Sequence, residues 1–309
     1  MIYLISAIIF GSLFSVVFRV CQNLRIDCPQ VILFNYIFAI IATAVPAVFK
    51  ICTGDAQLAD YSVHESSYGF AALQGLLFVA GFSIMDRSTW RSGVAITTVA
   101  ARASLVIPIL LGWKILDQPE PKWLPVVLIL GSVLLIVLTN DIQSHEGVKV
   151  SSKSDAQRKR RAFWALLSVF LCFGISDFGI KLSQHSVEVN LAAGEEISTH
   201  LDALMMLIFT AASLLSLVMC IVRGSFKDSP VNWKSILGGI VLGLINLLCT
   251  GSSLRALSEM STDLYYPLYN IGIVLVATLV GVLFFREKIK WTQLAGFALA
   301  IAAIVLFFV

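Results

Sequence analysis

Charged residues are scarce in this chain. Asp, Glu, Lys and Arg make up 13% of its 309 residues, whereas about 25% is usual for a soluble protein. Apolar residues make up 58% of the sequence, and the mean hydropathy is +0.88. The net charge is only +3, so no basic surface for nucleic acid is indicated. This composition excludes an ordinary soluble domain and a disordered chain, and it predicts an all-α membrane protein that crosses the bilayer many times.

Motifs for catalysis, metal binding and nucleotide binding are also lacking. The six Cys residues form no CxxC pair and the four His residues lie far apart, so neither a disulfide scaffold nor a metal site is indicated. The sequence has no HExxH, GxSxG or Walker A pattern. We therefore expect no enzyme activity, no cofactor and no nucleic-acid partner. The alternative that stays open is an intramembrane enzyme acting on a lipid or polyprenyl-phosphate substrate.

Ten segments are apolar enough and long enough to be transmembrane helices, since about 20 residues cross the hydrocarbon core. In lipid, only helices and closed barrels satisfy every backbone polar group. The ten predicted segments cover approximately residues 2–20, 30–50, 68–86, 93–116, 123–139, 162–182, 202–222, 234–255, 262–285 and 291–309.

A long polar stretch divides the ten segments into two sets of five. This basic linker covers residues 140–161 and includes the run of basic residues at 158–161, which is expected to contact anionic lipid headgroups. The predicted domains are thus a first five-helix repeat over 1–139 and a second over 162–309. An odd number of spans gives the two repeats opposite orientations in the membrane. Inverted repeats of this kind are typical of secondary transporters.

The basic residues are distributed unequally between the two sides of the membrane. The loops after odd-numbered segments contain sixteen Lys and Arg residues, and those after even-numbered segments contain five. By the positive-inside rule, the side with sixteen is cytoplasmic and both chain termini are outside.

The layout also resembles a known transporter family. A basic residue closes the first segment of each half, Arg19 and Lys181, and a late Phe-Phe-Arg-Glu run at 284–287 precedes Trp291 and Gly296. The first half has an altered counterpart at 116–120. On these features the whole chain resembles the drug/metabolite transporter superfamily, in particular its EamA-type members. The resemblance implies transport of amino acids, other small metabolites or drugs, often outward, and it implies cytoplasmic termini, contrary to the charge count.

Two charged residues lie well inside predicted segments. Arg102 is about nine residues into the fourth segment, and Asp177 lies in the inner part of the sixth. An ionised side chain at a helix centre costs roughly 2.5–3.5 kcal/mol and therefore often marks a transport pathway. We expect Arg102 to attract a substrate carboxylate or phosphate and Asp177 to attract an amine or a proton. A structural ion pair between them, or separate contacts with interfacial water, is the alternative.

Uncharged polar residues inside other segments complete the predicted substrate site. They are Asn35, Tyr36, Gln74, Asn246, Tyr265, Tyr266 and Asn270. A few such groups among apolar walls are typical of a small-molecule pocket, although hydrogen bonds between helices explain any one of them equally well.

Small residues and prolines predict how some of the helices pack. Gly239 and Gly243 form a GxxxG pattern, and Ala71 and Gly75 form a second small-residue face, so close helix contacts are expected there. Prolines inside segments remove a backbone donor and kink helices; they are Pro46, Pro108 and Pro267.

Together these features predict a secondary transporter, in the cytoplasmic (inner) membrane of a bacterium, for a small metabolite. It would work by alternating access between inverted repeats. Since members of the family often transport outward, it would act as an exporter. Its expected partners are the small-molecule substrate, membrane lipid and protons, and the expected oligomeric state is a monomer or a homodimer.

Overall fold

The computed structural model describes residues 1–24, 26–54, 61, 63–92, 94–141, 152–191, 197–228, 231–285 and 291–308. Within these residues the chain is helical and contains no β-strand. The helices are α1 (Ile2–Asn23), α2 (Cys28–Thr53), α3 (Glu65–Ser92), α4 (Val94–Ala103), α5 (Val106–Ile115), α6 (Trp123–Asp141), α7 (Ser152–Val189), α8 (Ile197–Val222), α9 (Ser225–Asp228), α10 (Trp233–Glu259), α11 (Thr262–Phe285) and α12 (Trp291–Phe308). The prediction of an all-α chain is confirmed for this part of the sequence.

Within the described residues, five helices are long and apolar enough to cross a membrane. They are α2, residues Glu65–Met85 of α3, residues Phe163–Val189 of α7, α8 and α10. These correspond to the second, third, sixth, seventh and eighth predicted segments, so the chain has the helices of an integral membrane protein. The other predicted segments correspond to α1, α4 with α5, α6, α11 and α12, and their crossing of the membrane stays a prediction.

Several helices extend beyond the apolar segments from which they were predicted. Helix α3 continues through Arg87 and Arg91 to Ser92, and α7 begins at Ser152, inside the predicted linker. Helix α10 continues beyond Arg255, the last residue of the predicted segment, to Glu259. The reason is that hydropathy detects the part of a helix that fits in lipid, whereas backbone hydrogen bonds continue until a capping or helix-breaking residue ends them.

The predicted fourth segment is not one helix. It is interrupted at Ser104 and Leu105 between α4 and α5, and Pro108 explains the interruption because it has no N–H to donate to the Ser104 carbonyl. Ile107 N donates to that carbonyl instead, at 2.9 Å, and Leu105 N donates to the carbonyl of Arg102 at 3.4 Å. The Ser104 hydroxyl donates to the Ala101 carbonyl at 2.6 Å. Pro108 thus ends one helix and starts another, which goes beyond the expected kink, while Pro46 and Pro267 lie within the continuous helices α2 and α11.

Replacing Pro108 with Ala is expected to join α4 and α5 into one helix, because the new N–H can donate to the Ser104 carbonyl. A gained backbone hydrogen bond is worth about 0.5–1.5 kcal/mol, so amide exchange at Leu105 and Ile107 should slow by about two- to tenfold. Hydrogen–deuterium exchange with mass spectrometry measures this. The matched control is Pro119→Ala in the exposed segment after α5, which should leave these amides unchanged; equal exchange in both variants contradicts the explanation.

The first of two compact units contains Met1–Ala80 and Gly179–Met260. Within it, α2 packs against α8 and α10, and α1 packs against α10. The GxxxG glycines of α10 contact α2: a Cβ on Gly243 would lie 2.6 Å from the Asn35 carbonyl oxygen, and one on Gly239 would overlap with Phe34. A Cβ on Gly75 of α3 would lie 2.7 Å from the Ala211 Cβ of α8. The predicted close helix contacts are thus confirmed.

The second compact unit contains Gly81–Phe178 and Ser261–Val309. Within it, α6 packs against α12, α4 and α11, and α5 packs against α11. Each unit combines helices from both sides of the 140–161 stretch. The boundaries of the compact units therefore differ from those of the predicted five-helix repeats. The repeats themselves stay a prediction.

Candidate functional site

Arg102 lies in the last turn of α4, directly before the interruption of the helix. Its Nη1 donates to Oδ1 of Asn270 on α11 at 3.2 Å. The guanidinium carbon lies 6.0 Å from the ring centre of Tyr269, a distance at which cation–π attraction acts. Its Nε is buried and has no hydrogen-bond partner among the described residues. A guanidinium with a buried, unused donor is suited to an acceptor that the protein does not supply.

Helix α11 carries Asn270 and Tyr269, which contact Arg102, and further polar side chains nearby in sequence. Asn270 Nδ2 donates to the Tyr266 carbonyl at 2.9 Å, which orients the amide so that its oxygen points to the guanidinium. Tyr265, Tyr266 and Asn270 are each 1% exposed. The start of this helix is fixed by Gln118, whose Oε1 accepts from Thr262 N at 3.1 Å and from Thr262 Oγ1 at 2.5 Å. This contact satisfies one of the backbone donors that a helix N-terminus leaves without partners.

Asp177 lies on α7 in the same unit as Arg102 and is partly buried. Its backbone carbonyl accepts a hydrogen bond from the Tyr266 hydroxyl. The charges of Asp177 and Arg102 are close enough to act on each other, but no direct ion pair joins them in the described part of the chain. The second unit thus brings together five of the predicted site residues, namely Arg102, Asp177, Tyr265, Tyr266 and Asn270.

Tyr269 belongs to the same cluster, although the sequence reasoning missed it. Its ring stacks on that of Tyr265, with ring centres 5.4 Å apart and an interplanar angle of 12°. Tyr265 in turn contacts Tyr266 edge to face, with centres 5.0 Å apart. The spacing of four residues between Tyr265 and Tyr269 was the available signal, since it places the two rings on one helix face.

The first unit contains the other four predicted residues, all buried: Asn35, Tyr36, Gln74 and Asn246. Asn246 Nδ2 donates to Asn35 Oδ1 at 3.2 Å and joins α10 to α2. Thr250 extends this contact by donating to Asn246 Oδ1 at 3.3 Å. The Tyr36 ring lies 6.3 Å from that of Phe209 on α8. These contacts match the other explanation given for such polar residues in the sequence analysis, namely that they form hydrogen bonds between helices.

A double-mutant cycle tests that interpretation of Asn35 and Asn246. Replacing Asn246 with Leu leaves the Asn35 oxygen buried without its donor, so the free energy of unfolding should fall by about 1–3 kcal/mol. Replacing both residues with Leu should cost less than the sum of the single changes, because no polar group is then left unsatisfied. Unfolding by denaturant in detergent measures the cycle. If the two single effects simply add, the two side chains do not stabilise each other.

Lys181 does not close its helix as predicted. Helix α7 continues to Val189, and Lys181 is 5% exposed. Its Nζ donates to Gln184 Oε1 at 2.6 Å and to the Leu257 carbonyl oxygen at 2.9 Å. The predicted counterpart in the first half, Arg19, has a side chain outside the described residues, as do Arg286 and Glu287 of the late Phe-Phe-Arg-Glu run. A lysine inside an apolar segment could have indicated a buried site. Because Lys181 lies near the end of the predicted segment, it was interpreted as a residue at the membrane interface.

Comparison with known proteins gives a relative and a fold, without a function. No protein-family model matches the chain. It is 27% identical over 307 residues to an uncharacterized protein of Haemophilus influenzae, and the match covers 97% of this chain and 95% of that protein. The chain is also similar to a crystal structure, with a TM-score of 0.68 and 11% identity over 99% of this chain and 95% of the other. At that identity the likeness concerns the fold alone.

Proposed function

We propose that the protein is a secondary transporter for small metabolites that carry a carboxylate, with Arg102 as the group that binds it. The EamA-type resemblance, the ten membrane spans and the inverted repeats are parts of this proposal. A location in a bacterial cytoplasmic membrane is also part of this proposal. The apolar helices would span that membrane, and the ends of the helices would face water on each side.

The observation that carries the proposal is the placement of Arg102. A permanently charged side chain stands at an interruption between two apolar helices, and its hydrogen bonds go to a neutral amide and not to a carboxylate. A partly buried charge that lacks a direct ion pair is costly, so binding of an anionic ligand would stabilise the site. Arginine suits a carboxylate because its donors match both oxygens.

Asp177 and the tyrosines supply the other requirements of a binding site. The Asp177 carboxylate lies in the same unit and forms no direct ion pair with Arg102. It can therefore attract an amine. The rings of Tyr265 and Tyr269 offer a rigid apolar surface beside the guanidinium. Opposite charges beside an apolar wall favour zwitterionic or dipolar solutes of small size.

The interrupted helix is also consistent with transport. Discontinuous helices are recurrent at the substrate sites of secondary transporters, where the ends of the half-helices form part of the site. A nucleotide-binding motif is missing from the sequence, so the driving force in this proposal is an ion or solute gradient.

The test uses purified protein and named solutes, the twenty L-amino acids and the C4 to C6 dicarboxylates. Solutes that bind the folded protein should raise its unfolding temperature, and those hits should exchange across sealed proteoliposomes preloaded with the same solute. Empty liposomes are the control. Stabilisation without exchange, together with chemical turnover of a phospholipid or polyprenyl phosphate in detergent, would replace the transporter with the enzyme alternative.

A further inference from the structure

The environment of Lys181 differs from that of the other polar sites. Lys181 is buried in the part of α7 that belongs to the first unit. Both acceptors of its Nζ are neutral: the amide oxygen of Gln184 and the carbonyl oxygen of Leu257. Leu257 lies in the last turn of α10, where backbone carbonyls lack helical partners. No carboxylate accepts from Nζ among the described residues.

The number of donors at Nζ is the important quantity. An ammonium group has three N–H donors, and the described residues provide two acceptors. A neutral amine has two N–H donors and matches these acceptors fully. The site therefore holds the amine in either state. The third proton of the ammonium group has no acceptor among the described residues, and the charge of Glu188 acts on it from an exposed position.

We propose that Lys181 is a proton-exchanging site and that, given the proposed transport function, it carries the proton that couples solute movement to the pH gradient. In one state Nζ is an ammonium group; in the other it has released one proton to water and is an amine that keeps both hydrogen bonds. No other bond changes, and the electron pair stays on nitrogen.

Gln184 connects Lys181 with the exposed end of α7. Its Nε2 donates to Glu188 Oε2 at 2.9 Å, and Glu188 is exposed. Glu188 also lies 3.9 Å from the His185 Nδ1. The polar side chains Lys181, Gln184 and Glu188 thus lie in succession on one helix face, which gives water and protons a hydrophilic edge leading to the buried amine.

The other charged groups near this part of α7 have partners or lie at exposed positions, except Asp177, which is partly buried. Arg255 Nη2 on α10 is bound to Asp202 Oδ1 of α8 at 2.5 Å. On α7 the charged or titratable groups within eight residues of Lys181 are Asp177, His185 and Glu188. On α3 and α10, within three residues of Ser67 and Leu257, where these helices contact this part of α7, they are Glu65, Tyr68, Arg255 and Glu259. Of these, Glu188 is the one whose charge acts on Lys181.

A fixed role as a cap for the end of α10 is the competing explanation, and a titration separates the two. Protein with ¹⁵N-labelled lysine is reconstituted in nanodiscs, and the Lys181 Nζ signal is identified as the one missing in Lys181→Arg. Between about pH 5 and about pH 9, the signal should change from its ammonium to its amine position. A signal that stays at the ammonium position throughout overturns the proposal.

Transport coupling is measured with the same variant in proteoliposomes and a labelled mixture of the twenty L-amino acids and C4 to C6 dicarboxylates. Arginine keeps the charge and the two hydrogen bonds but does not release its proton. Lys181→Arg should therefore retain exchange when the pH is equal on both sides. The accumulation driven by a pH gradient should fall at least about tenfold, which corresponds to about 1.4 kcal/mol of driving force. The exposed Lys234→Arg is the matched control.

The outcomes distinguish this inference from the proposed function. Full gradient-driven accumulation in Lys181→Arg overturns the inference while transport stands. Absence of exchange in the wild-type protein overturns the proposed function and the coupling with it, and the titration still decides whether Lys181 exchanges a proton.

Discussion

Replacing Arg102 with Ala is expected to weaken the binding of carboxylate-bearing solutes by about 10- to 100-fold. Hydrogen bonds to a charged group are worth about 1.5–3 kcal/mol, and each 1.4 kcal/mol changes the dissociation constant about tenfold. The Asn270 amide, which now accepts from Arg102 Nη1, cannot replace the charge. Isothermal titration with the solutes that stabilise the wild-type protein measures the loss, and uptake in proteoliposomes should fall in parallel.

Two further variants show whether the guanidinium itself is responsible. Arg102→Lys keeps the positive charge without the planar pair of donors, so its affinity should lie between those of wild type and Arg102→Ala. Arg87→Ala removes an exposed arginine of the same unit and should bind like wild type. Unchanged affinity in a folded Arg102→Ala protein would remove Arg102 from the proposed site.

Replacing Gly239 with Leu is expected to lower the free energy of unfolding by about 3 kcal/mol or more. A Cβ at this position would overlap with Phe34 and lie 3.0 Å from its carbonyl carbon, so α10 and α2 would have to separate. Overpacking of a tight contact typically costs about 1–3 kcal/mol and sometimes more. Separation would also lengthen the hydrogen bond between Asn246 and Asn35, which lies next to this contact.

The matched control for Gly239 is Gly69 of α3, where an added Cβ has nothing within 4 Å. Gly69→Leu makes the same chemical change without a clash, and it should stabilise the helix by about 0.5–1 kcal/mol because Gly is a poor helix former. Denaturant unfolding in detergent measures both variants. If both variants lost a similar free energy of unfolding, the effect at Gly239 would not come from the close approach of α10 to α2.

Hydropathy alone predicted the positions of the long helices well, as α8 illustrates. It spans Ile197–Val222 against a predicted 202–222, because uninterrupted apolar sequence of that length has few other stable states in lipid. The interruption at Ser104 was not predicted, although Pro108 was singled out. A proline weakens a helix locally, but the neighbouring side chains decide whether the helix bends or stops.

The candidate site was predicted in part, and the missing members share a property. Arg102 and Asp177 stand out because charge is rare in this sequence, and the second unit places both near Asn270 and Tyr266. Tyr269 was missed although it lies well inside a predicted segment, and the buried state of Lys181 was missed because a lysine near a segment end is common at membrane interfaces. Their roles depend on partners far away in sequence, such as Leu257 for Lys181.

By itself the sequence determined that this is a helical chain built for lipid, because hydrophobic length and backbone hydrogen bonding act locally and leave few choices. It also determined where charge enters the apolar segments. Only the tertiary structure decided what those charges meet: a neutral amide for Arg102 and the carbonyl end of α10 for Lys181. Such pairings join residues more than seventy positions apart, and their energy depends on distances of a few ångströms that no local pattern encodes.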